Sequence, residues 1–370
     1  MIDTPLPVPS HARVRSIDAL RGFDMFWIMG ADDLAVAILN RSHWTLAPAL
    51  TAQLEHAAWE GFRFYDLIFP LFLFLVGCVL PYSLDKYRAT PNRAYARIAR
   101  RAGLLVLLGL ICNGLLNFNW PDLRVSGVLQ RIGICYGVAA LIVLQCRVRG
   151  QVAAAIGILL TYWALLALVP APGGVAGDLA RETNLAGYLD RLLLPGKILE
   201  PYYGFGDNEG LLSTVPAIAT TLLGALAGQW LKSSAAPWRK VGGLAAAGCA
   251  CLASGYAWSF AFPIIKNLWT SSFVLVAGGW SLLLLALFYA VIDVLGWHRW
   301  AFFWIVIGAN AITIYVVPRF LDFAHATEFF LGGTARLCGT YGTIVLLAGT
   351  LLAKWLFLWW LYRQRVFLRV

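Results

Sequence analysis

The chain has 370 residues, of which 60% are hydrophobic and only 13% charged, with a mean hydropathy of +0.71. One soluble core cannot bury that much apolar surface, so a soluble globular class is excluded and lipid is the implied solvent. A net charge of +10 would suggest nucleic acid in a soluble protein, but here Lys and Arg gather in alternate short connections, as cytoplasmic loops require, and no nucleic-acid partner is expected.

Residues 1–16 form a polar, Pro-containing tail that does not read as a cleavable signal. Apolar runs long enough to cross about 30 Å of hydrocarbon follow near 17–39, 62–84, 98–116, 126–146, 151–170, 211–231, 241–262, 268–293, 301–320 and 340–361. They predict an all-α integral membrane protein, a single polytopic bundle of about ten transmembrane helices occupying 1–370 as one domain. With the N-terminus inside, seventeen Lys and Arg, Arg13, Arg88 and Arg369 among them, fall on the cytoplasmic side against seven outside. Both termini are therefore expected in the cytoplasm and the large loop 171–210 outside it. The 16 Trp and 14 Tyr suit a protein with two membrane–water interfaces, membrane lipid being its first partner. Seven cysteines (Cys78, Cys112, Cys135, Cys146, Cys249, Cys251, Cys338) show neither disulfide nor metal-ligand spacing, so they read as packing residues and no metal is expected.

Function is sought where the sequence breaks membrane rules. An ionisable group at mid-span costs about 2.5 to 3.5 kcal/mol on insertion scales, whereas a Leu or Phe returns only about 0.5. The first expected span carries Asp24, Asp32 and Asp33 beside Asp18 and Arg21, so it must face protein. Asp18 and Arg21, three apart, read more readily as a structural ion pair. At 1.5 Å per residue Asp32 stands roughly 22 Å from the inner end. Asp66 falls in the first turns of a span entering from the outer face, Arg131 lies in the outer part of the fourth, and His56 sits between the first two spans in LEHAAWEGFRFYDLIFP. A His, two acids and an Arg thus converge near the outer surface, although a lone loop His is more often solvated. Arg93, Arg97, Arg100 and Arg101 precede the third span, either as a phosphate-binding set or as charge that only fixes orientation.

Seven segments carry a family resemblance: RSIDALRGFDMFWI (15–28), EHAAWEGFRFYDLIFPLFLFLVG (55–77), LRVSGVLQRIGICY (123–136), DRLLLPG (190–196), DNEGLLST (207–214), KNLWTSSFVL (266–275) and NAITIYVV (310–317). In this order, over nearly the whole chain, they resemble the heparan-alpha-glucosaminide N-acetyltransferase family and its bacterial NagX-like branch. The resemblance implies acetyl transfer from cytosolic acetyl-CoA, a co-substrate, to the amine of a glucosamine-type sugar or glycan across a bacterial inner membrane, by a homodimer. It makes His56, in HAAWEG, the catalytic His, on the extracytoplasmic side. It also puts Asp32 where the family has an Asn, and an ionised Asp can only accept hydrogen bonds. Asp66 joins them as a catalytic candidate. Arg131, Arg97, Arg100 and Arg101 are the expected coenzyme-binding set, and Glu209, Lys266, Asn267 and Asn310 the expected sugar-site residues. A neutral His suits the chemistry, because an amino-sugar ammonium must lose a proton as it attacks a thioester. Direct attack and an acetyl-His intermediate are both open. An amino-sugar transporter and a membrane O-acyltransferase acting on a glycan hydroxyl are the alternative readings.

Overall fold

The computed structural model describes residues 14–87, 90–199 and 205–368, so Arg13, Arg88 and Arg369 of the charge count and most of the N-terminal tail lie outside the described residues. Helix α1 (Arg15–Phe26) passes through a widened π turn, Trp27–Ala31, into α2 (Asp32–Leu39), and α3 (Ala47–Gln53) follows. A 3-10 turn, Phe64–Leu67, opens α4 (Ile68–Leu84); α5 (Pro91–Cys112), α6 (Val128–Gln145) and α7 (Val148–Leu168) come next. Short α8 (Leu185–Leu193) punctuates the long loop, before α9 (Leu211–Lys232), α10 (Pro237–Ser259) and α11 (Ser271–Phe288). The chain ends with α12 (Ala301–Ala309), α13 (Ala311–Val316), α14 (Phe323–Leu337) and α15 (Gly342–Arg363).

The protein is an all-α, multi-pass membrane protein. Among the described residues seven helices are long and apolar enough to cross a bilayer, and eight if α12 and α13, bent by 70° at Asn310, count as one span. The other two expected spans, 17–39 and 98–116, are helical but carry too many charges to qualify by composition, the first its acids and the second its arginines. Their polar faces must therefore be covered by protein or water. Ser16, Asp18 and Asp24 are buried, which fits a first helix enclosed by neighbours. Helix α14 occupies a stretch expected only as a connection. Asp322 starts it by accepting the Ala324 and His325 amides at 3.0 and 2.9 Å.

Close helix approach sets the geometry around the site. A Cβ on Gly22 of α1 would stand 1.8 Å from the Trp304 carbonyl, and one on Gly308 of α12 would stand 2.0 Å from that of Asp18. Backbone touches backbone at this crossing, as small residues allow in membranes. Gly224 and Gly228 bring α9 equally close to α4 at Phe74 and Cys78. The break in the ninth span has a partner as well. Asn310 Nδ2 donates to the Val366 carbonyl at 3.1 Å and its Oδ1 accepts the Leu368 amide at 3.4 Å, which draws the segment after α15 back against the bundle.

Candidate active site

The loop between α3 and α4 is tied down at several points. Gln53 Oε1 accepts the Phe64 amide at 3.0 Å, and Arg63 donates to the His56 carbonyl at 3.2 Å while pairing with Glu55 at 3.5 Å. Asp66 closes the 3-10 turn. Its Oδ2 accepts the Arg63 and Ala57 amides at 3.1 and 3.2 Å, leaving Oδ1 to face His56 Nδ1 at 2.9 Å. An ionised carboxylate only accepts, so this contact places the hydrogen of the neutral imidazole on Nδ1 and leaves Nε2 as its accepting nitrogen. The His56 side chain is 38% exposed and that of Asp66 not at all. The ring is reachable and its anchor is shielded.

A second loop, between α10 and α11, is laid against the first by its backbone. Glu60 and Ile265 form an antiparallel bridge, and the Gly61 amide donates to Ile264 at 2.8 Å. Thr270 Oγ1 braces the turn, accepting from the Ile265 amide at 3.1 Å and donating to Pro263 at 2.8 Å. This pairing sets Lys266 Nζ 2.8 Å from His56 Nδ1, 3.1 Å from Nε2 and 3.5 Å from Asp66 Oδ1. Nearly equal distances to the two nitrogens put the ammonium over the ring rather than in line with either one. Burial weakens the hold of Lys266 on its proton; Asp66 and Glu209 oppose this, and the balance stays below the usual lysine value.

Beside this cluster lies a network of acids and arginines. Arg124 grips Asp207 with two bonds, Nε to Oδ2 at 2.8 Å and Nη2 to Oδ1 at 2.6 Å, and also pairs with Glu209. Burial works against both charges, yet the Arg124 hydrogen bond and charge hold the Asp207 carboxyl below its ordinary range, and Asp207 and Glu209 hold Arg124 above its own. Asp190 of α8 accepts the Asp207 and Leu211 amides at 3.1 and 2.9 Å, but burial prevails and pushes its pKa up to about 6. Arg131 is 1% exposed, donates from Nε to Thr214 Oγ1 at 3.2 Å and from Nη2 to Ser213, and lies 4.8 Å over the Trp269 ring. Its Nη1 is buried with no hydrogen-bond partner among the described residues. Trp269 holds a left-handed φ of 52°, a conformation that costs a bulky residue about 1 to 3 kcal/mol unless its surroundings enforce it. The indole bond to Thr220 at 3.2 Å and the guanidinium over its ring do so. Glu209 joins the two groups, since its charge acts on both Lys266 and Arg131.

At the break between α12 and α13 a cavity of about 240 Å³ opens, lined among others by Arg21, Arg97, Arg101, Phe72, Ile312 and Phe367. Irregular backbone at span depth is tolerated where it borders such a cavity. Arg97 and Arg101, four residues apart, share one face of α5. Arg97 donates to the Tyr87 hydroxyl at 3.1 Å, and Arg101 stacks 4.5 Å over Tyr136 while its Nε is buried without a hydrogen-bond partner among the described residues. Arg100 lies outside this cavity, in a second groove with Arg93, Arg97 and Tyr87.

No family model matches the chain. Among curated proteins it is 28% identical over 366 residues to human heparan-alpha-glucosaminide N-acetyltransferase, covering 82% of this chain and 52% of that protein. It is 28% identical over 330 residues to the mouse protein of the same name, covering 72% of this chain and 49% of the relative. This chain is similar to the heparan-alpha-glucosaminide N-acetyltransferases. It spans about half the length of the two relatives it matches.

The segments that resemble heparan-alpha-glucosaminide N-acetyltransferases are dispersed in sequence and meet in space. His56 and Asp66 come from one, Lys266 and Trp269 from another, Arg124 and Arg131 from a third, Asp207 and Glu209 from a fourth, and Asp190 from a fifth. Of the expected residues, His56, Asp66 and Lys266 touch, with Glu209 and Arg131 in the adjoining network, and Asn267 is half-buried next to Lys266. The charges of Asp32 and Asp33 act on Lys354 of α15, which donates to the Met29 carbonyl at 2.7 Å. Asn310 holds the C-terminal segment, and Arg97 and Arg101 line the cavity. Sequence reasoning missed Arg124, Asp207 and Trp269, and with them Tyr315 and Arg319, a hydrogen-bonded pair near Glu209. All but Arg319 lay within the quoted segments, and membership in those segments was the available signal.

Proposed function

We propose that this chain is an acetyl-CoA-dependent transmembrane N-acetyltransferase that moves acetyl from the cytosol to the amine of a glucosamine-type sugar on the extracytoplasmic side of a bacterial inner membrane. The observation that carries this reading is the His56–Asp66 pair, an exposed imidazole oriented by a buried carboxylate that four donors surround. Asp66 keeps the Nδ1 hydrogen in place and stabilises the imidazolium that forms when Nε2 takes the proton of the attacking ammonium. The free Nη1 of Arg131 and the ammonium of Lys266 are donors available to the oxyanion that develops on the acetyl carbonyl.

The two substrates would approach from opposite ends of α4. Arg97, Arg101 and Arg21 offer guanidinium groups to the coenzyme phosphates, with the basic segment 90–101 at the cytosolic mouth. The cavity reaches Phe72, six residues and about 9 Å of helix rise beyond Asp66. An extended thiol arm entering past Arg97 would carry its acetyl end toward His56. On the other side, Glu209 and Asn267 would receive sugar ammonium and hydroxyl groups.

The test is to incubate purified protein with labelled acetyl-CoA and, separately, glucosamine, chitosan fragments and a glycan bearing only hydroxyls. An amide product resistant to mild base supports the reading. Label on hydroxyl acceptors alone would make the protein an O-acyltransferase. Uptake of unmodified sugar into vesicles without acetylation would favour a carrier, the reading to which the broken ninth span lends some weight.

A further inference from the structure

Lys266 Nζ stands at the distance from His56 Nε2 to which the acceptor's nitrogen must come. For His56 to deprotonate an amine, that nitrogen must come within about 2.6 to 3.2 Å of Nε2, and the acetyl carbon within about 3 to 3.5 Å of the nitrogen. Lys266 Nζ already stands 3.1 Å from Nε2. It is a primary amine like that of an amino sugar, and the bridge between Glu60 and Ile265 holds its loop against the His56 loop. From its position over the ring the ammonium must swing toward the ring plane to bring a proton into line with the Nε2 lone pair. The charges around it are Asp66 and Glu209, both of which attract the ammonium rather than expel it.

We propose that Lys266 is itself an acetyl acceptor, and that in the absence of sugar the protein acetylates this residue and blocks its own site. The inference rests on the acetyltransferase reading above. His56 Nε2 takes a proton from the Lys266 ammonium. The neutral Nζ attacks the thioester carbonyl, so that an N–C bond forms and the C–S bond breaks with its electron pair on sulfur. Of the three ammonium hydrogens, one remains on the amide, one ends on the thiol and one is released. The product side chain is neutral and longer by an acetyl group. It no longer pairs with Asp66, and it covers the imidazole face that an incoming sugar would need. Bound sugar protects the lysine by taking its place at Nε2. The protein would therefore stay active while acceptor is present and shut down when acetyl-CoA is supplied alone.

The full chain in detergent is incubated with labelled acetyl-CoA without sugar, digested and mapped by mass spectrometry, and residual transfer to glucosamine is followed in parallel. The expected result is one acetyl group on Lys266, stable to hydroxylamine, accumulating as activity is lost and suppressed by excess glucosamine. His56→Ala should slow this labelling by roughly a hundredfold, and Lys266→Arg should abolish the label at that position. An unmodified Lys266 in a preparation that acetylates glucosamine overturns the inference and leaves the enzyme reading intact. So does equal labelling of Lys266 in wild type and His56→Ala, which is solution chemistry, or a hydroxylamine-labile label on His56. Absence of transfer to any amine would instead overturn the enzyme reading.

Discussion

At the scale of single residues the buried carboxylates do most to define the site, and each has a different task. Asp66 orients an imidazole. Asp66→Asn keeps the shape but offers an amide where Nδ1 needs an acceptor, and it disfavours the imidazolium, so acetyl transfer should fall by about a hundredfold or more while acetyl-CoA still binds; unchanged turnover would remove Asp66 from the mechanism. Asp190 is a structural contrast. Its pKa of about 6 lies above the ordinary 3.8, so between those values the folded state binds more protons than the unfolded state. This group's stabilising contribution is therefore complete below about pH 4 and is lost as pH rises through 6, a span of about 3 kcal/mol. Asp190→Asn cannot titrate. The thermal stability difference between mutant and wild type in detergent should shift in the mutant's favour from pH 4 to 7, and a difference independent of pH would contradict the assignment.

At the scale of elements, close helix packing and one broken span create the cavities. Gly308→Val must push α12 away from the Asp18 carbonyl, a backbone contact that cannot yield by rotamer change. It should destabilise by about 1 to 3 kcal/mol, read as a lower melting temperature, whereas Gly157→Ala, which meets nothing within 4 Å, should be neutral or slightly stabilising. Arg101→Ala should weaken acetyl-CoA binding by about 1.5 to 3 kcal/mol, the worth of a charge-assisted bond, and leave sugar binding nearly unchanged; equal loss for both would mean the arginine serves only folding or orientation. Helices were the most legible feature of the sequence because apolar run length reports directly on bilayer thickness. The break at Asn310 was not legible, since nothing local forbids helix in GANAIT and the Val366 and Leu368 contacts that accompany the break come from far along the chain. The same holds within the site. His56 and Asp66 lie ten residues apart and a polar pair beside an apolar run could be read directly, whereas Lys266, 210 residues away, is delivered by a loop bridge that side-chain pattern does not encode. The setting of Asp32 was hard to read for a related reason. Counting residues along a regular helix ignores the π turn at Trp27–Ala31, which rotates everything after it and carries the acid toward α15.

At the scale of the whole molecule the polar residues fall into two groups along the bundle. One is the basic approach of α5 and the arginine-lined cavity, and the other is the His56 site with its acids. A membrane enzyme that works across the bilayer needs this separation, with the coenzyme admitted at one face and the acceptor at the other. A soluble acetyltransferase would need neither the length of α4 nor the cavity beside the ninth span. Proteoliposomes test this most directly. Protein is reconstituted with glucosamine trapped inside, labelled acetyl-CoA is added outside, and acetylated sugar is measured in the lumen. For molecules whose basic segment 90–101 faces outward, wild type should accumulate acetylglucosamine in the lumen and His56→Ala should do so at no more than about a hundredth of that rate. Lumenal product at wild-type rate from His56→Ala, or acetylation only when both substrates share one side, would contradict the account.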